Sequence, residues 1–224
     1  MRGYSETLRA LIGAVEARDA YTHGHSARVA ELSVHLGQRL GLRPAALRSL
    51  AEGAYLHDVG KVGIPDHVLN KPGPLTDEEQ AWIRQHPLVG SDIVGRAPSL
   101  RDALTVIRQH HERFDGHGYP DGLAGEQISL AARIVAVVDV WDALTSDRAY
   151  RPAWPPDRAL RHLEAGRGSH FDPRCLDAFL ALMAERGHHP GPGPGDPGVS
   201  TEAAQACHDQ PQAPEPATSP SRSG

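Results

Sequence analysis

Apolar positions along this chain recur mostly at intervals of three and four, and they predict a succession of helices. Leu8, Leu11, Ile12 and Val15 follow Ser5, a suitable N-cap, and Val29, Leu32, Leu36 and Leu40 run up to Gly41, a natural helix terminator. Pro44 suits a first helical position, and Leu47, Leu50, Ala54 and Leu56 carry a third helix to His57 and Asp58, with Gly60 as its stop. Thr76 and Glu79 have capping-box spacing ahead of Trp82 and Ile83, and Pro87 is expected to interrupt that helix just after His86. Leu100, Leu104 and Ile107 lead to His110 and His111.

Glu112 to Gln127 is rich in Gly and Asp and reads as a long ordered loop. From Ser129 to Leu144 the β-branched residues suggest a strand. Ile134, Val137, Val138 and Trp141 nevertheless keep helical spacing, and the run exceeds ordinary strand length, so a buried helix is expected. Further helices are predicted over Pro156 to Ala165 and from Asp172-Pro173 through Leu176, Phe179, Leu180 and Met183 to Gly187. The fold class is therefore all-α, one domain over 1–187. From His188 to Gly224 Pro, Gly, Ser, Gln and Ala dominate, burial cannot offset ordering entropy, and a disordered tail is expected.

Composition narrows the partners. The balance of 23 Lys+Arg against 28 Asp+Glu, formally -5, gives no basic field for a polymeric nucleic acid. Two distant cysteines, Cys175 and Cys207, suggest neither a disulfide framework nor a thiolate metal site, and they fit a reducing cytoplasm. No apolar run has membrane-spanning length, and Met1 to Ala10 lacks a signal-peptide core, so no membrane association is expected. The abnormal figure is His, at 14 residues.

Those histidines supply the candidate chemistry. His57-Asp58 lies at a helix end, His86 before a helix break, His110-His111 forms a pair, and Asp139 sits inside an apolar helix. Singly, each has a plain explanation: a surface pair, a satisfied buried imidazole, a polar helix end, or a carboxylate bridged to an Arg of another helix. Together they form an imidazole and carboxylate set able to bind two neighbouring cations.

The strings LHDVGKVGIPD (Leu56 to Asp66), NKPGPLTDEE (Asn70 to Glu79), HPLVG (His86 to Gly90), HHERFDGHGYPDGL (His110 to Leu123) and VVDVWDALTSDRAYR (Val137 to Arg151) closely resemble the HD-GYP domain. With ARDAYTHGHSARVA (Ala17 to Ala30) and GSHFDP (Gly168 to Pro173), the resemblance spans Glu6 to Ala184. It implies a compact helical bundle with a GYP loop and cyclic di-GMP phosphodiesterase activity, yielding pGpG, GMP or both. The metal ligands it implies are His57, Asp58, His86, His110, His111 and Asp139, with Asp58 bridging two divalent ions and His25 as a further ligand. Tyr21 stands where some members carry a Glu, so two ions are expected rather than three. Iron or manganese suits the sulfur-free set, and two such ions would activate a bridging hydroxide and draw charge from the phosphoryl oxygens.

By the same resemblance Lys61 would touch the phosphate or protonate the leaving oxygen, and Arg148 and Arg151 would clamp the second phosphate or a guanine. Asp142 would orient substrate or a ligand. Gly118, Tyr119 and Pro120 would border the site and offer a surface to diguanylate cyclase (GGDEF) partners. Members usually follow a sensor or receiver domain, whereas this chain reaches its first motif helix almost at once, so regulation is expected from a separate protein, from metal and substrate supply, or not at all. Two rivals remain: an HD-superfamily phosphohydrolase acting on another nucleotide, and a module that binds nucleotide or partner without turnover.

Overall fold

A computed structural model describes residues 6–18, 24–147 and 152–190. Tyr21, Arg148, Arg151, Cys207 and the tail from residue 191 lie outside the described residues, as does the proposed cap Ser5. Among the described residues there are ten α-helices and no strand: α1 (Glu6–Glu16), α2 (His25–Arg39), α3 (Pro44–Leu56), α4 (Asp66–Leu69), α5 (Asp77–Ile83), α6 (His86–Val94), α7 (Leu104–Gln109), α8 (Leu130–Thr145), α9 (Pro156–Ala165) and α10 (Pro173–Glu185). Short 3-10 turns at Val59–Gly63, Pro98–Ala103 and Gly125–Gln127 link some of them. The expected all-α fold is what forms, and none of these helices is long and apolar enough to cross a membrane.

Local signals account for most boundaries. Gly41, at φ 80°, takes the left-handed conformation that ends α2, and Gly187, at φ 82°, does the same for α10. Thr76 and Glu79 form the reciprocal capping box of α5. Ser129 caps α8 by accepting from the Ala132 N–H, and Asp172 caps α10 by accepting from Arg174.

Burial makes α8 the centre. Ile134 to Leu144 is buried on every side, and this helix packs against α2, α3, α7, α9 and α10. The β-branched run is a helix because it has neighbours all round, which removes any need for one polar face.

Three expectations need correction. Pro87 does not interrupt a helix: α5 stops at Ile83, and Pro87 lies in the first turn of α6, where its missing N–H costs nothing. Gly60 is not a helix stop either. The third helix ends at Leu56, and Gly60 is needed because a Cβ there would lie 1.9 Å from the His86 carbonyl oxygen. Leu11, placed on the apolar stripe of α1, is 40% exposed, whereas Ile12 and Val15 are buried.

Candidate metal centre

The close approach at Gly60 joins the first two parts of the site. Because the backbone after α3 touches the start of α6, His57 and Asp58 face His86. The end of α7 delivers His110 and His111, and α2 and α8 deliver His25 and Asp139. Of the residues proposed from sequence as ligands, all seven converge.

They form two groups that share one carboxylate. Asp58, His86, His110 and His111 each bring a ligand atom within 4.8 Å of the others, and so do His25, His57 and Asp58. Asp139 Oδ1 lies 3.1 Å from His25 Nε2 and 3.9 Å from His57 Nε2, which places it with the second group.

Hydrogen bonds fix what the imidazoles offer. His57, His86 and His110 each point Nδ1 at the carbonyl three residues earlier, those of Ala54, Ile83 and Ile107, at 2.7, 2.7 and 2.8 Å. A carbonyl only accepts, so Nδ1 carries the proton and Nε2 of the neutral ring is a lone pair. His86 Nε2 is nevertheless 3.1 Å from His110 Nε2 and 3.2 Å from His111 Nε2, and His57 Nε2 is buried with no hydrogen-bond partner. A proton between the rings is disfavoured: burial pushes His86 down to about 4 and His110 well below the usual histidine range. Converging lone pairs without a proton are what a divalent cation requires, so the residues fit a metal.

The carboxylates complete the charge. Burial would raise the Asp58 pKa, but Lys61, His57 and His86 hold it well below the usual carboxylate range despite Asp139 nearby. Lys61 Nζ is 2.8 Å from Asp58 Oδ2. His25 has different surroundings. Burial lowers its pKa, yet hydrogen bonds to Asp139 and Asp142 outweigh that and lift it to about 9.

Asp142 stands behind His25, accepting from its Nδ1 at 2.7 Å and from the Arg28 fork at 2.7 and 2.8 Å. Arg28 is one turn beyond His25 on α2, and Asp142 one turn beyond Asp139 on α8, so two facing helices present matched pairs. Arg28 escaped the sequence reading, although that spacing was its signal. Glu16 escaped too: its carboxylate accepts from the Gly24 and Ser26 N–H groups and secures the start of α2.

The loop after His111 closes against the same site. Tyr119 stacks on His111, with ring centroids 4.7 Å apart and planes at 22°. Gly118 is required by contact, since a Cβ there would meet the Arg113 nitrogen at 2.2 Å and the Glu112 Cα at 2.5 Å. Pro120 follows through a cis peptide bond. Glu112, to which the sequence reading gave no role, is buried and accepts from the Asp121 N–H at 2.7 Å and the Leu123 N–H at 3.0 Å. It ties the far side of the loop to the residue next to His111. Phe114 and Asp115 also donate to the His170 and Ser169 carbonyls.

The profile of the HD domain family matches residues 9–175. The cyclic di-GMP phosphodiesterase response regulator RpfG of Xanthomonas campestris is 46% identical over 182 residues, covering 80% of this chain and 48% of that protein. A 3'3'-cGAMP-specific phosphodiesterase 2 of Vibrio cholerae is 37% identical over 188 residues, covering 80% of this chain and 36% of its own length. The chain thus spans less than half the length of either relative. Among solved structures, a cyclic GMP-AMP specific phosphodiesterase of Vibrio cholerae superposes with a TM-score of 0.60 at 20% identity, over 91% of this chain and 53% of that one, a likeness of fold. The profile match over most of the chain, with the His57-Asp58 doublet and the Gly118-Tyr119-Pro120 loop on one site, makes this chain a member of the HD domain family.

Proposed function

We propose that the chain is a metal-dependent phosphodiesterase that opens cyclic di-GMP to pGpG, GMP or both, acting in the cytoplasm. The observation that carries this is Asp58, common to two groups of ligand atoms and suited to bridge two divalent cations. Six further residues, His25, His57, His86, His110, His111 and Asp139, would hold those ions, and the sulfur-free set favours iron or manganese. Such a pair supplies an acidified water and withdrawal of charge from the phosphoryl oxygens.

The protein's own groups prepare the site. The carbonyls of Ala54, Ile83 and Ile107 keep three imidazoles in the tautomer whose Nε2 is free to bind. Lys61 holds Asp58 ionised beside it, and the role that suits its ammonium is contact with a phosphoryl or leaving oxygen. Asp142 and Arg28 orient His25, so the role that suits Asp142 is alignment rather than direct substrate contact. Gly118, Tyr119 and Pro120 form the rim over His111, a surface available to a diguanylate cyclase partner. Arg148 and Arg151 keep the roles their motif implies, as clamps on the second phosphate or a guanine.

A relative named for 3'3'-cGAMP favours a second reading in which a hybrid cyclic dinucleotide is the better substrate. Side-by-side turnover of cyclic di-GMP, 3'3'-cGAMP and linear pGpG by protein reloaded with iron or manganese tests both. Fastest opening of cyclic di-GMP is expected; preference for the hybrid selects the second reading, and no turnover of any of them rejects both.

A further inference from the structure

Among the described residues, most arginines that are not on the open surface hold a carboxylate: Arg18 holds Asp66, Arg108 holds Asp121, Arg113 holds Asp115 and Arg133 holds Asp172. Arg84 does not. It is half-buried, two residues before His86, and its guanidinium lies over the Tyr119 ring at 5.3 Å from the centroid. Its Nε is shut off from solvent with no hydrogen-bond partner, and no side chain among the described residues pairs with its terminal nitrogens.

A cation held over an aromatic ring is attracted through its charge, and the contact does not by itself take up the N–H donors. The ring orients the fork without satisfying it, and the buried Nε left without an acceptor is costly until an anion arrives. The location says which anion. Tyr119 rests on His111, itself in the four-residue ligand group, so the fork lies one ring away from the metal centre.

We infer that Arg84 is a phosphate-binding residue of this site, a fork seated on Tyr119 that takes a phosphoryl oxygen of the substrate. This rests on the phosphodiester reading above. It also gives Tyr119 a definite task, to carry Arg84 as well as to cover His111. Arginine suits the position because its planar fork can both stack and bind bidentately, which a lysine ammonium cannot.

Calorimetric titration of inorganic phosphate into the metal-loaded full chain tests the inference. Wild type is compared with Arg84→Gln, Arg84→Lys and the exposed-site control Arg96→Gln, and a thermal melt of each variant verifies folding. The expected result is a Kd about tenfold weaker for Arg84→Gln, partial recovery in Arg84→Lys and no change in Arg96→Gln. A folded Arg84→Gln protein that binds phosphate within about threefold of wild type overturns it, as does absence of phosphate binding by wild type. Loss of phosphate affinity in a protein whose wild type opens no cyclic dinucleotide would sink the proposed substrate and leave Arg84 standing.

Discussion

His86 and His110 on one flank of Asp58, and His25 on the other, are buried imidazoles gathered around one carboxylate, yet their surroundings tune them in opposite directions. On the first flank each ring is held by the carbonyl three residues earlier, at the end of α5 for His86 and of α7 for His110, and burial keeps it neutral. On the second, two carboxylates hold His25 and raise its pKa to about 9. The difference lies in what the partner is: a carbonyl fixes a tautomer without adding charge, whereas Asp139 and Asp142 supply negative charge that a proton can answer when no metal does. One flank therefore offers free lone pairs at neutral pH, and the other must release a proton to bind.

The most severe way to break this comparison is to remove the residue both flanks share. Asp58→Ala should cut turnover by about 10³-fold or more and lower metal content on both sides. Full activity and full metal in that variant would mean the flanks do not meet at Asp58.

The next effect is a pH dependence of the metal-free protein. The His25 pKa lies above the ordinary 6.5, so its contribution to stability is complete below about pH 6.5 and disappears as pH rises through about 9. His86, lowered to about 4, acts in reverse: the unfolded chain takes up a proton near pH 6.5 that the folded one refuses until about pH 4, so acid destabilises. A His25→Gln variant compared with wild type in chelator should lose on the order of 3 kcal/mol at pH 6 and converge with it towards pH 10. A stability difference that stays flat across that range would contradict the assigned tuning.

Smaller still is the effect of loosening one flank only. Arg28→Gln frees one side of Asp142 and should weaken metal binding by about tenfold at the His25 flank while sparing the other, read as one weakened step in a two-step metal titration. Smallest is Thr76→Ala, which removes the cap of α5 at a cost of about 1 kcal/mol and should leave both metal steps unchanged.

Much of this was legible from residue order because the signals were local. The capping box at Thr76, the glycines closing α2 and α10 and the helical spacing in α8 each act within a few residues, and each formed as expected. His57, Asp58, His86, His110, His111 and Asp139 stood out as a set whose plain explanations are hard to hold together, whereas their assignment as ligands, and His25 altogether, came from the resemblance to the HD-GYP domain. Pro87 and Gly60 misled because their meaning is set by a neighbour distant in sequence: Gly60 answers to the His86 carbonyl, and Pro87 opens the helix that begins there. Glu112, Arg28 and Arg84 escaped for a related reason, since a lone charged residue declares its role only when the loop turn, carboxylate or ring it meets is in place.

Two cations sharing Asp58 are the central requirement of the proposed chemistry. Metal analysis of the chain purified without oxygen, with anomalous scattering from its crystals, tests this directly. The account predicts about two metals per chain, one beside His86, His110 and His111 and one beside His25, His57 and Asp139, with Asp58 between them. A single ion confined to one flank, or ions bound without Asp58, would contradict it.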